Sequence, residues 1–195
     1  MLLVFGSINA DLVFRVATLP VPGETVLCPG YAVVPGGKGA NQAAAAAKAG
    51  GEVRFVGTGG DDGFGALLRR NLEQAGVDGA GLAVGTAPTG TAVIAVDDRG
   101  ENAIIVASGA NLLTGAEQVA DLDLGPGLTL LCQNEVRPVE TFALIRRAAA
   151  RGARTILNLA PATGVPDEVL ACLDTLVVNR VELGMLLAAD PADPV

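Results

Sequence analysis

The chain has 195 residues, 50% of them hydrophobic, 17% charged and only 3% aromatic, and its formal net charge is −8. That length supports one sizeable core, and the acidity argues against non-specific nucleic-acid binding, which needs clustered Lys and Arg to replace counterions. An anionic ligand stays possible, because a local site can oppose the global field. There is no histidine, so the commonest general base and metal ligand is missing, and proton chemistry falls to carboxylates, Lys, Tyr31 or Cys. Cys28, Cys132 and Cys172 are far apart, odd in number and without metal-ligand spacing, which reads as reduced thiols of a cytosolic protein. The opening MLLVFGSINADL lacks a basic segment and a cleavage site, and no apolar run approaches membrane-spanning length. The expectation is a cytoplasmic protein with neither membrane nor nucleic-acid partners.

Taken in chain order, residues 2–5 form a short apolar run stopped by Gly6, a buried strand leading into a loop. Two β-leaning stretches, 11–16 and 25–31, flank the turn LPVPGE. Residues 40–49 are nearly all alanine, the best helix former, and Gly50-Gly51 ends them. A strand is predicted at 53–56 and a helix at 64–75, with Leu67, Leu68 and Leu72 at helical spacing. Two β-rich runs, 91–97 and 102–107, surround DDRGE, a hairpin signal. Beyond them come a helical stretch at 114–119, strands at 128–132, 155–159 and 176–179, and helices at 138–151, 166–173 and 180–189. The helix at 138–151 has Pro at its start and Gly152 after its end. Alternating apolar strands and helices imply a parallel sheet covered on both faces. The segments near 11–31 and 91–107 do not fit that pattern and are expected to pair as a small separate sheet.

The stretch PGGKGANQAAAAAKAG at 35–50 opens a helix with glycines, which suggests a phosphate cradle. Register excludes both common forms. A P-loop would need Gly where Ala32 stands and Ser or Thr where Gly39 stands; a dinucleotide fingerprint would need Gly at Gln42. The cluster GTGGDDGFG at 57–65 fails as well. What remains is a turn whose missing Cβ atoms let backbone approach a ligand closely, with Lys38 and Asn41 beside it. A plain helix start accounts for the same residues.

Other polar residues follow the strands. Asn9 and Asp11 come after the first one, where an open α/β sheet binds its ligands. A carboxylate beside an amide suits adjacent sugar hydroxyls, although an Asx-turn would use the same pair locally. Glu135 and Asn179 also follow strands. Glu182 lies in the first turn of the last helix, where a carboxylate has an ordinary capping role.

In this order the residues resemble the PfkB-type carbohydrate kinases, and within that family its ribokinase branch. The motifs are GSINADL at 6–12, PGGKGANQA at 35–43, GGDDGFG at 59–65, ENAIIVASGAN at 101–111 and LNLAPA at 157–162. Gly36, Gly37, Gly39, Asn41, Ala43, Gly50 and Gly60 match the family's first signature in register, and Lys38 favours the ribokinase branch. The resemblance spans essentially the whole chain but only the N-terminal two-thirds of the family's length.

The resemblance implies a single kinase domain over 1–195. Its fold would be an α/β sandwich, a mostly parallel sheet with helices on both faces, plus a small antiparallel β-sheet lid near 11–31 and 91–107. The implied reaction is ATP-dependent phosphorylation of ribose to ribose 5-phosphate. Asn9, Ala10, Asp11, Gly37, Lys38, Gly39, Ala40, Asn41 and Glu135 would bind the sugar. Asn179 would lie at the ATP site, and Glu182 would reach Mg²⁺ through water, since Mg²⁺ keeps much of its hydration shell. A K⁺ site is implied beyond residue 195, and paired lids would form a homodimer. The sequence departs from the pattern in NEVRP at 134–138 and in NRVE at 179–182. It also lacks the G-A-G-D motif that carries the family's catalytic aspartate, so no catalytic base is assigned within the chain. Two other readings stay open: a catalytically incompetent chain that binds sugar or dimerises, and a related kinase for another sugar or nucleoside.

Overall fold

In a computed structural model of the chain, residues 1–188 are described. Leu2–Phe5 forms β1, Val53–Gly60 β4, Asp78–Gly85 β5, Thr129–Gln133 β8, Arg154–Asn158 β9 and Thr175–Val177 β10. They make a six-stranded sheet in the order β10-β9-β8-β1-β4-β5, and its described pairings are parallel. Because side chains alternate across a strand, β1 feeds two cores. Leu3 and Phe5 pack on one face with Phe142, Leu144, Ile145 and Ala148 of α3 (Pro138–Ala150). Val4 packs on the other with Ala43 of α1 (Lys38–Lys48) and Leu68 and Leu72 of α2 (Gly63–Gln74). Ala43 is fully buried; its small side chain lets the N-terminal half of α1 lie close to the sheet. The expected layering is therefore present.

The second sheet has four strands in the order β3-β2-β6-β7: Tyr31–Gly36, Asn9–Arg15, Gly90–Val96 and Asn102–Ala107. Its outer pairs are antiparallel, but β2 and β6 at its centre run parallel. The small sheet is thus mixed, where a purely antiparallel one was expected. The strand expected at 25–31 lies instead at Tyr31–Gly36. Pro20, Pro22 and Pro29 remove ladder donors from the intervening stretch, whereas Pro35 is tolerated because β3 is an edge strand. Phe14 and Tyr31, opposite one another, stack with ring centroids 5.2 Å apart.

Three elements differ in extent. The expected helix at 114–119 is a 3-10 turn over Ala116–Gln118, and that at 166–173 shortens to α4, Asp167–Leu170. The last helix, α5, is Arg180–Ala188; its expected end at 189 lies outside the described residues. No helix among the described residues is long and apolar enough to cross a membrane. Cys132 is buried and Cys28 and Cys172 are partly so, all three as free thiols.

Candidate functional site

All strands of the large sheet point their carboxyl ends to one edge, and the polar residues gather there. After β1 the chain passes through Gly6, Ser7 and Ile8 and enters β2 at Asn9. The start of α1 packs directly on this segment. Gly37 sits at φ +86°, and a Cβ on it would lie 2.8 Å from Asn9 N and Ile8 Cα. A Cβ on Gly39 would lie 2.8 Å from both Ser7 N and Ser7 O. The glycines thus permit two backbones to touch, and the Ala40 amide donates to Ser7 O at 2.9 Å.

Glu135, two residues beyond β8, closes the arrangement. Its Oε2 accepts from Ser7 Oγ at 2.6 Å and from the Lys38 backbone amide at 2.8 Å. Ser7 Oγ in turn accepts from the Gly39 amide at 3.3 Å. The Asn41 amide donates to Gly37 O at 2.9 Å. The first four N–H groups of α1 are therefore all occupied within the protein, which leaves none of them for a phosphate. The Glu135 carboxylate takes the place an anion would have, against the positive end of the helix. Lys38 Nζ stands 3.7 Å from Glu135 Oε1 and is 41% exposed, so this pair contributes less than about 1 kcal/mol.

Asn9 and Asp11 share a face of β2. Asn9 is buried, and its Oδ1 accepts from Asn111 Nδ2 at 2.7 Å. Asp11 is half-buried, with its carboxylate over Gly36, where a Cβ would strike it. Burial first, and the neighbouring Glu135 charge second, push the Asp11 carboxyl above its ordinary range. Two carboxylates, an ammonium paired with one of them, and an amide thus converge, with negative charge in excess. Such a set suits a neutral polyhydroxyl ligand, whose O–H groups donate to carboxylates and accept from amide and ammonium.

Not every expected residue joins this group. The Ala10 side chain turns to the opposite face of β2 and is buried in the core with Ala40 and Ala43, so neither Ala10 nor Ala40 lines the cluster with its side chain. Asn41 is exposed on α1. Asn179 and Glu182 engage each other. Asn179 N donates to Glu182 Oε2 and Glu182 N donates to Asn179 Oδ1, both at 2.8 Å. This is a reciprocal cap on α5. Two residues escaped the sequence reading, Ser7 and Asn111. Ser7 stands between a strand end and Asn9, a position that could have marked it. Asn111 lies in ASGAN, on the 3-10 turn Gly109–Leu113 that follows β7.

The profile of the pfkB family carbohydrate kinases matches residues 1–194. The ribokinase of Haemophilus influenzae is 37% identical over 196 residues, covering 98% of this chain and 64% of that protein. Among solved structures, ribokinase from Thermotoga maritima superposes with a TM-score of 0.85 at 37% identity, over 93% of this chain and 60% of that one. Arabidopsis thaliana ribokinase, complexed with ribose and ATP, gives a TM-score of 0.84 at 31% identity, over 98% of this chain and 64% of that one. The chain therefore spans less than two-thirds of the length of these relatives.

Proposed function

The chain belongs to the pfkB family of carbohydrate kinases, and from this premise we propose that it carries the sugar-binding side of a kinase that transfers phosphate from ATP to ribose. One observation supports this best. Asn9, Asp11, Lys38 and Glu135 come from three separate segments and meet at the carboxyl edge of the parallel sheet, beside the small sheet. Asp11 and Glu135 would accept sugar O–H groups, while Lys38 and Asn9 would donate. In phosphoryl transfer most of the rate arises from positioning and charge stabilisation. Holding the sugar rigidly is therefore this side's contribution. Hydrogen bonds among Ser7, Lys38 and Glu135 hold these groups in place.

ATP would approach from the β10 side, where Asn179 lies. The Mg²⁺ and K⁺ of the family resemblance remain expectations. Among the described residues no three His, Cys, Asp or Glu side chains converge to hold an ion, and Glu182 spends one oxygen on Asn179. The described residues do not form a metal site by themselves. No catalytic base is assigned either, since G-A-G-D is absent from the sequence.

We also propose a homodimer through the small sheet. Ile104, Ile105 and Val106 of β7 are 53%, 73% and 53% exposed. An apolar edge strand of that kind invites a partner. The free thiols suit the cytosol.

Calorimetric titration of D-ribose into the chain and its Asp11→Ala variant tests the sugar reading. Binding by the parent and its loss in a folded variant are expected; a folded parent that ignores ribose overturns it. Ribose-dependent ADP release with Mg²⁺ and K⁺ then separates the kinase from the binding-only reading.

A further inference from the structure

Asn111 is 1% exposed and lies more than a hundred residues from the segment it contacts. Its Oδ1 accepts from the Ile8 amide at 2.9 Å, and its Nδ2 donates to Ile8 O at 3.2 Å and to Asn9 Oδ1 at 2.7 Å. Two of these partners are backbone groups with fixed polarity. Ile8 N–H can only donate and Ile8 C=O can only accept. They leave the Asn111 amide one orientation, with nitrogen towards Asn9. Asn9 must then answer with its oxygen, which turns its own nitrogen away from Asn111. Asn9 Nδ2 donates to nothing among the described residues. It is also not one of the sealed atoms without a partner, which are Thr114 Oγ1, Gln133 Oε1, Asn134 Oδ1 and Thr141 Oγ1. It is therefore open to the site.

We propose that Asn111 is a positioning residue that fixes Asn9 with its N–H₂ group, not its oxygen, towards the ligand. The site then offers a donor at Asn9 beside the acceptor at Asp11, and it selects a pair of neighbouring hydroxyls, one that accepts at the first and another that donates at the second. Gly90 supports the same arrangement. It pairs with Asn9 across β2 and β6, and a Cβ on it would strike both Asn111 Nδ2 and Asn9 Oδ1. The polarity imposed on the ligand rests on the sugar reading above; the orientation of Asn9 does not.

The test has two arms. In the first, D-ribose and its 2-deoxy-2-fluoro and 3-deoxy-3-fluoro analogues are titrated into the parent, Asn111→Asp and Gly90→Ala. Fluorine accepts weakly and cannot donate. The parent should keep one analogue within about tenfold of ribose, because an Asn9 donor tolerates an acceptor-only group. In Asn111→Asp a carboxylate accepts from Asn9 and turns the amide round. The same analogue should lose about a further tenfold relative to ribose. Gly90→Ala, which keeps Asn111, should blunt the preference if the charged variant fails to fold. Unchanged analogue-to-ribose ratios in a folded variant overturn the proposal, as does rejection of both analogues by the parent.

The second arm needs no ligand: hydrogen exchange of the side-chain amides in ¹⁵N spectra. The Asn111 NH₂ should be protected and that of Asn9 should exchange freely. The opposite pattern overturns the orientation whatever ribose does. A parent that ignores ribose yet shows the expected protection overturns the sugar reading alone.

Discussion

At the ends of β1 and β8, polar groups are joined across 97 to 128 residues of chain, and Ser7, Lys38 and Glu135 hold one another in place. At the end of β10, Asn179 and Glu182 stand three residues apart and serve each other's backbone. The first arrangement exists only when the whole sheet is folded, and its charges are spread between two carboxylates and an ammonium. The second would form on any helix that begins N-x-x-E. Polar residues after a parallel strand are therefore not equivalent evidence. Those joined by tertiary contacts are held by the fold as a whole, and those joined locally also serve a helix end.

Four substitutions sharpen or break this contrast. The largest effect is expected from Gly37→Ala, which forces a side chain into a positive-φ position and against the backbone of Ile8 and Asn9. It should cost about 3 kcal/mol of stability, read by denaturant unfolding. Survival at parental stability would show that the close backbone contact is not what the glycine is for. Next, Asp11→Ala should weaken ribose binding by about a hundredfold, as expected for removal of a charged acceptor. Third, Glu135→Gln keeps an acceptor for Ser7 and Lys38 but removes the charge at the start of α1. A loss of about 1 kcal/mol is expected, with weaker ribose binding. The smallest effect belongs to Asn179→Ala, about 1 kcal/mol or less from the lost cap, with ribose affinity unmoved. A large fall in ribose affinity there would erase the distinction between the two ends.

The pH dependence of Asp11 supplies a further check. Its carboxyl is raised in the folded chain by burial and then by Glu135. The folded form thus binds that proton more tightly than the unfolded form does. Stability from this group is fully present below the ordinary Asp range and declines as pH rises through the folded value. Asp11→Asn removes the charge. Its melting temperature should exceed the parent's at neutral pH, and the gap should narrow on acidification into the ordinary Asp range. A variant less stable than the parent at neutral pH would contradict the raised carboxyl.

Much of the large sheet was legible because its strands are apolar runs between turn residues. β5 was not: its sequence DGAGLAVG is poor in β-formers, and only pairing with β4 makes it a strand. The small-sheet strand at 31–36 was missed because proline and glycine usually end strands, and only its edge position explains their presence. The parallel pairing of β2 with β6 could not be read, since periodicity says which residues share a face and nothing about a distant neighbour. At the site, Asn9, Asp11 and Glu135 were legible from their places after strands. Ser7 and Asn111 were not. Their importance comes from what they meet across the fold, and a lone Ser or Asn in a loop carries no such mark. The glycines were read as an opening for a ligand, yet they mainly admit another stretch of backbone.

The mixed small sheet also has a consequence for cutting and grafting this molecule. Its strands enter as two separate ribbons, β2 with β3 between β1 and α1, and β6 with β7 between β5 and the turn that carries Asn111. Each ribbon alone is a two-stranded antiparallel pair, a unit that is marginal in water by itself. The parallel pairing of β2 with β6, from Asn9 opposite Gly90 to Arg15 opposite Val96, joins them into four strands. No single excision removes this cover, and no single insertion transfers it to another scaffold. Deleting either ribbon strips the other of its neighbour, so the two pieces of chain can be gained or lost by such a protein only together.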